Sequence, residues 1–481
     1  MKHLHYIYTI LFGVAVLLFF GLAYPHHLHY QEQYQLFLFD GNYAWEIVRQ
    51  PGGVADLLGR FCTQFCLYAW VGALIIAILL SAVQLLTSTL LTFPLTRLPV
   101  AFPHSRTPVP PYPHTLSFVP SFLLWIFLLD ENALLGGVWA VLFYLVAGVV
   151  SISLPKRGMQ AVMIIVAIPV LYWVASPFGH YYRYPSEDPW LLWAAALSIF
   201  VLTLLARVFG RRGGAVIGGT VARGYPRKSY LRTSVPPCLC LLCGLCIVWK
   251  ESNFKAEKVM GYDFMARHQQ WNRILETINA EKPNNQIGVT VQNLALGMHG
   301  MLIDHLFDYN QNGLLGLLPD VGTDAVSPLP TAEAFYQLGM INIAHRTVFE
   351  AQEAILDFQK SGRCYKRLAQ TNLINGHYEV ARKYLTALQK TLFYREWAAG
   401  TLPLLGDEEA IARHPEYGRL RKMAYKEDFY FGDHVTPEML EDLYFSNEDN
   451  RLAYQYLMAY YMLTGDRDRY TRFLQTHKLT N

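Results

Sequence analysis

The densest group of metal- or proton-binding side chains is His26-His27-Leu28-His29, just after the first apolar stretch. Neighbouring histidines on a helix or strand point different ways, so a single metal site is hard to assemble from them. With Tyr24 and Tyr30 they read as a polar collar at a membrane interface. Cys238, Cys240, Cys243 and Cys246 crowd one apolar segment, and Cys243–Cys246 has the C-x-x-C spacing of redox or metal chemistry. No second pair or nearby histidine completes such a site, so these thiols read as small packing residues, as do Cys62 and Cys66. The run Arg207–Arg232 holds six glycines, six arginines and a lysine, a composition able to cradle phosphate. It lacks the strand–loop–helix setting that makes a glycine loop specific, and reads instead as a linker gripping anionic lipid headgroups. P-loop, G-x-S-x-G and H-E-x-x-H patterns are absent. The sequence therefore assigns no cofactor-binding or metal residues, names no cofactor, and asks for no nucleic acid.

The elements that would carry these groups are mostly membrane helices. Of 481 residues, 53% are hydrophobic and only 16% charged, against about a quarter charged in soluble domains. Apolar runs near the roughly 20 residues needed to span a bilayer lie at His5–Tyr24, Leu67–Leu91, Leu116–Leu129, Ala133–Leu154, Met159–Ser176, Trp190–Phe209 and Val235–Trp249. The first reads as an uncleaved span, because no small-residue cleavage site follows it. The third and fourth form a hairpin around Asp130-Glu131-Asn132. The last opens with Pro236-Pro237 and is short. With the N-terminus inside, twelve basic residues fall in inner loops and three, Arg49, Arg60 and Arg183, in outer ones. Seven crossings then put everything after Lys250 outside, in the periplasm of a cell that has one.

That tail is helical, with Gly and Pro as punctuation. Phe335-Tyr336-Gln337-Leu338-Gly339 aligns, at an offset of thirty, with Tyr365-Lys366-Arg367-Leu368-Ala369, which leads to Asn375-Gly376-His377-Tyr378 and then Ala381, Leu385 and Leu388. The second stretch resembles a tetratricopeptide repeat, with a small residue in the first helix, Gly and Tyr at the turn, and Ala at the closest approach. Trp271–Ile278 reads as a second helix, Asn293–Phe307 as a first helix closed by Asn310–Gly313, and Leu452–Leu474 as a last hairpin. Hairpins of this kind bury their apolar faces only by stacking, and such arrays commonly bind partners. Tyr454, Tyr456, Tyr460 and Tyr461 line a groove or, more commonly at helical spacing, fill the core. The expected fold is all-α: a polytopic bundle over 1–250, with an amphipathic first outer loop (25–66) and a basic cytoplasmic loop (207–232), then a tetratricopeptide-like solenoid over 251–481.

All eight acidic residues of the front half fall outside or at the outer boundary: Glu32, Asp40, Glu46, Asp56, Asp130, Glu131, Glu187 and Asp188. This layout resembles the GT-C class of membrane glycosyltransferases. The resemblance implies a sugar donor linked to polyprenyl phosphate and a catalytic carboxylate in the first outer loop, with Glu32 and Asp40 best placed to be it. Such an acid would act as general base or hold a divalent metal. The class's Asp-x-Asp or Asp-Glu signature is absent there. The chain also resembles an uncharacterised family of bacterial multi-pass proteins, through His27–Phe39, Pro51-Gly52-Gly53 with Leu58–Phe65, and Asn293–Gly313. The expectation that follows is a membrane-anchored scaffold, in contact with membrane lipids, whose tail binds a protein or cell-envelope polymer; the glycosyltransferase is the alternative.

Overall fold

A computed structural model describes residues 4–96, 112–183, 188–217, 229–320, 322, 328–355, 359–425 and 435–476. Among these the protein is all-α, with two isolated bridges, Ala133–Tyr182 and Asn312–Leu314, and no strand. It divides into two units, residues 1–32 with 40–254, and residues 33–39 with 255–481.

The first unit opens with α1 (Leu4–Leu18), prolonged by a π-helical turn over Phe19–Ala23. The segment after it folds as α2 (Pro25–Glu32), α3 (Gly41–Val48) and α4 (Gly53–Thr63). It continues with α5 (Ala69–Thr96), α6 (Tyr112–Leu116), α7 (Phe118–Phe127), α8 (Leu135–Ser153), α9 (Arg157–Ala175), α10 (Trp190–Ile217) and α11 (Ser229–Glu251). Among the described residues four helices are long and apolar enough to cross a membrane: His5–Ala23, Ala69–Thr92, Leu135–Ser153 and Gly158–Ala175. Val235–Glu251 joins them as a fifth if it and the following helix count as one bent span, while Pro113–Phe127 and Trp190–Leu205 are apolar but shorter. On α9 the side chains of Ile164, Ile165, Ile168 and Trp173 face outward. In water that surface would cost about 25 cal/mol per Å² left exposed; hydrocarbon removes the cost.

Inside the bundle Phe12, Phe19, Phe122 and Trp125 form an aromatic knot, with Phe122 stacked flat on Trp125. The buried amide of Gln84 is satisfied on both ends, accepting from the Thr9 hydroxyl at 2.7 Å and donating to Ser117 at 2.8 Å. Helix α4 meets α8 at a glycine pair: a Cβ on Gly59 would stand 2.3 Å from the backbone nitrogen of Gly136. Two sequence expectations change. Pro236 and Pro237 lie inside α11 rather than at its start. Much of Arg207–Arg232 is helical, in α10 to Ile217 and α11 from Ser229; residues 218–228 lie outside the described residues.

The second unit runs through α12 (Phe254–Arg267), α13 (Trp271–Glu281), α14 (Gln286–Met298), α15 (Leu302–His305), α16 (Leu314–Leu317), α17 (Pro328–Leu338) and α18 (Ile341–Glu353). It ends with α19 (Gly362–Ile374), α20 (Tyr378–Gln389), α21 (Arg395–Thr401), α22 (Glu408–Arg413), α23 (Pro415–Met423), α24 (Pro437–Ser446), α25 (Arg451–Thr464) and α26 (Arg467–Thr476). Five of its helices close on one turn. A residue with positive φ follows the helix, and the next N–H reaches back to the carbonyl five residues earlier. The bonds are Gln270 to Met265, Met301 to Leu296, Met340 to Phe335, His377 to Asn372 and Asp466 to Tyr461, at 2.8–3.0 Å. The positive-φ residues are Gln269, Gly300, Gly339, Gly376 and Gly465. The turns pair Gly339 with Gly376, so the offset of thirty had matched the end of α17 to the body of α19. Gly300 likewise breaks the single helix expected over Asn293–Phe307 into α14 and α15. Tyr454, Tyr456 and Tyr461 are core residues.

Gln269 alone in this set has a Cβ, which crowds its own carbonyl in the left-handed region at a cost of about 1–2 kcal/mol. Gln269→Gly is expected to slow amide exchange in α12 and α13 by about fivefold, a gain of about 1 kcal/mol. Unchanged or faster exchange would show that the Gln269 side chain stabilises the turn.

Candidate functional site

The carboxylates expected on the outer face do not share one employment. Asp40 is the N-cap of α3: its Oδ1 accepts from the amides of Asn42 at 3.0 Å and Tyr43 at 3.2 Å. The segment before it is extended, so a short acceptor is needed to satisfy the first helical donors. Glu32 ends α2, 4% exposed and close enough to Cys66 for its charge to be felt there. Asp56 and Arg60 sit one turn apart on α4 and form a buried bidentate pair, Nε to both oxygens at 3.0 Å and Nη2 to Oδ2 at 2.8 Å. Burial works against the Arg60 charge, but Asp56 and the Tyr43 hydroxyl outweigh it. Glu46 is exposed, and Glu187 lies outside the described residues.

A second knot joins Asp130, Glu131, Tyr182 and Arg183. The Tyr182 hydroxyl donates to Asp130, whose other oxygen takes the Asn132 amide and so fixes the turn expected there. Arg183 donates to the Tyr30 hydroxyl and to the Glu131 carbonyl, each at 3.1 Å. Burial, then the Asp130 charge, pushes the Glu131 carboxyl upward. His27 is buried with Nε2 2.9 Å from the Leu128 carbonyl, and burial lowers it to about 4; it holds the loop as a neutral ring. Among the described residues, no three His, Cys, Asp or Glu side chains gather as metal ligands.

Asn carries the same cap acceptor as Asp, so Asp40→Asn is expected to leave stability within a few tenths of a kcal/mol, and Asp40→Ala to cost about 1 kcal/mol. Amide exchange in α3 checks both. Equal loss in the two variants would show that the charge, not the cap, is what Asp40 supplies.

The segment between Glu32 and Asp40 belongs to the other unit. After a turn at Gln33–Tyr34, residues 35–39 pass the ends of α19 and α20, where the Leu36 amide bonds the Lys360 carbonyl at 2.8 Å and the Phe39 amide bonds that of Lys390 at 2.7 Å. Leu36 packs with Ala369, Leu385, Leu388 and Ala398, over Gly362. Gln33 accepts from Arg363 at 3.1 Å. The reading of 25–66 as one outer loop missed this, because burial of Leu36 depends on residues more than three hundred positions away.

Arg363 opens the most concentrated charge network. Its guanidinium forks onto Asp263 at 2.6 and 2.8 Å, and Nη2 stands 3.7 Å from Glu333. Arg367 donates to Glu333 at 2.5 Å and lies 3.6 Å over the Tyr336 ring, whose hydroxyl donates to Glu416 at 2.9 Å. Burial would raise the Glu333 carboxyl, but Arg367 and Arg363 hold it below the usual range. Lys366 stands 5.0 Å over Trp397, and Arg419 donates to Gln337 at 2.9 Å. Asp263 and Arg267 come from α12, Glu333, Tyr336 and Gln337 from α17, Arg363, Lys366, Arg367 and Gln370 from α19, Glu416 and Arg419 from α23. The sequence signal was the i, i+3, i+4 spacing of Arg363, Lys366 and Arg367, which places three cations on one helix face.

Fold and site together define an all-helical protein with a set of membrane-length helices and a helical-hairpin unit that carries a buried ionic network. The chain belongs to the family of unknown function DUF6057, which it matches over residues 2–179 and 175–481. Among curated proteins and solved structures nothing matches it.

Proposed function

We propose that the chain is a membrane-anchored scaffold whose span bundle fixes a tetratricopeptide-like hairpin array on the extracytoplasmic side, where the array binds a protein or cell-envelope polymer. The observation that carries this reading is the network on α12, α17, α19 and α23, which gathers charged and amide side chains of four helices into one buried cluster that reaches the surface at Lys366 and Arg419. A face built across successive hairpins is how a stacked array recognises a partner. Residues 33–39 support the placement. They group with the helical unit yet follow the first apolar helix by only one short helix, as expected if the first loop and the tail share one side of the membrane. On this reading an even number of crossings separates them, and the loop charges favour the outer side. On this reading seven helices cross, the shorter pair supported by their neighbours, with the N-terminus cytoplasmic and the tail periplasmic where a periplasm exists.

The test has two parts. A reporter enzyme active only outside the cytoplasm, fused after Asn481, is expected to be active. A photo-crosslinking residue in place of Trp397 is expected to give a discrete adduct in intact cells. The alternative is a GT-C-like glycosyltransferase using a polyprenyl-phosphate-linked sugar donor, and it needs Glu32 or Asp40 as its catalytic carboxylate. Glu32→Gln with Asp40→Asn keeps volume and cap. Loss of the cellular role in that variant, with no adduct from the helical unit, would replace the scaffold by the enzyme.

A further inference from the structure

We propose that the polar face shared by α19 and α23 is a recognition site for an acidic peptide segment, a step that rests on the scaffold reading above. The cations of the network are Arg267, Arg363, Lys366, Arg367 and Arg419; its carboxylates are Asp263, Glu333 and Glu416. Asp263 and Glu333 are engaged by Arg363 and Arg367. Glu416 takes hydrogen bonds from Tyr336 and, at 3.4 Å, from Gln370, and its charge is shared by Lys366, Arg367 and Arg419. The site is therefore short of negative charge.

The shortage falls on two side chains. Lys366 has the Trp397 ring beneath it and, among the described residues, no hydrogen-bond acceptor. Arg419 is held by the Gln337 amide oxygen and the Met423 sulfur rather than by a carboxylate. Burial and the neighbouring Arg367 pull Lys366 below its ordinary value, and the exposed Arg419 bonds no carboxylate, so each gains from an arriving anion. The positive field reaches the exposed rim, where His268 is lowered by burial and then by Arg267, Lys366 and Arg363. A third unmet group is the Gln337 amide: the residue is 1% exposed and its Nε2 has no acceptor.

An acidic peptide answers all three. Carboxylates meet Lys366 and Arg419 in charge-assisted bonds, a backbone carbonyl meets Gln337 Nε2, and an apolar side chain lies against Trp397. A bare phosphate would satisfy the cations and leave the amide and the ring unused.

The experiment uses full-length protein in lipid nanodiscs, with a fluorescein-labelled glutamate hexapeptide and its glutamine counterpart read by anisotropy. The glutamate peptide is expected to bind at least tenfold tighter, to weaken as salt rises, and to lose at least tenfold in affinity when Lys366→Gln and Arg419→Gln are combined. Lys366→Arg should bind as the parent does. Equal binding of the two peptides overturns the proposal, as does unchanged affinity in the double variant or displacement by inorganic phosphate at the peptide's own concentration. If the double variant loses helicity, Arg419→Gln alone takes its place, since that residue is exposed, with the same two outcomes at threefold. Cellular adducts that persist in the variant while peptide binding is lost overturn this site and leave the scaffold standing. Peptide binding with no adducts from any position overturns the scaffold alone.

Discussion

Glu333→Ala is expected to destabilise the hairpins around α17 and α19 by about 3–5 kcal/mol. Glu333 is 3% exposed, and the Arg363 and Arg367 side chains facing it are 6% and 12% exposed. Removing the carboxylate takes from Arg367 its hydrogen-bonded counter-charge in a low-dielectric site and leaves Arg363 with Asp263 as its bonded carboxylate. A buried charge without its partner costs more than the pair contributed, because desolvation is no longer offset. Amide exchange in α17–α20 should accelerate by roughly two to four orders of magnitude, since each factor of ten is about 1.4 kcal/mol. Acid should mimic the mutation. The Glu333 carboxyl is lower in the folded state than in the unfolded chain, so its contribution is complete above the usual carboxylate range and disappears as pH falls through the lower folded value. Exchange that does not change in Glu333→Ala, or a variant that keeps the parent's loss of stability at low pH, would mean that water already shields the network.

Asp56→Ala should do the same to the first unit, again by about 3–5 kcal/mol, because it leaves Arg60 buried on α4 against α8. Here the control is sharper. Asp56→Leu combined with Arg60→Met replaces the pair by apolar side chains of similar reach and should restore most of the loss. Thermal unfolding in detergent, followed by exchange in α4, separates the two. If the double variant is as unstable as Asp56→Ala, the Tyr43 hydroxyl and not the ion pair is what α4 requires.

The helices of the first unit were legible because apolar composition over about 20 residues is a local property. Asp56 and Arg60 were legible as charges but not as a pair: positive-inside counting assigned Arg60 to a loop, whereas α4 turns it onto Asp56 four residues back. The last hairpin was read through Gly465, and Gly376 gave the α19–α20 turn. Gln269 closes an identical turn without the glycine that marks one, and so went unseen. Glu32 and Asp40 were singled out by their place in the chain. Place alone could not show that Asp40 is committed to backbone donors, nor that the residues between the two are committed elsewhere. The basic face was present in the sequence as Arg363, Lys366 and Arg367, but Leu368 and Ala369 beside them drew the reading to the repeat.

The position of residues 33–39 has a consequence for how the chain is made. Gln33 and Arg363 are 330 positions apart. At about 5–20 residues per second, the ribosome needs roughly 15–65 s to deliver α19 after Gln33 has left the tunnel. For that interval Tyr34, Leu36, Phe37 and Phe39 have been synthesised and their binding cleft has not. Until α19 and α20 follow, these side chains lack the helices that Leu36 packs against in the finished unit. A chain cut at Lys255 would leave residues 33–39 without α19 and α20, and the rest of the second unit without Leu36 in its core.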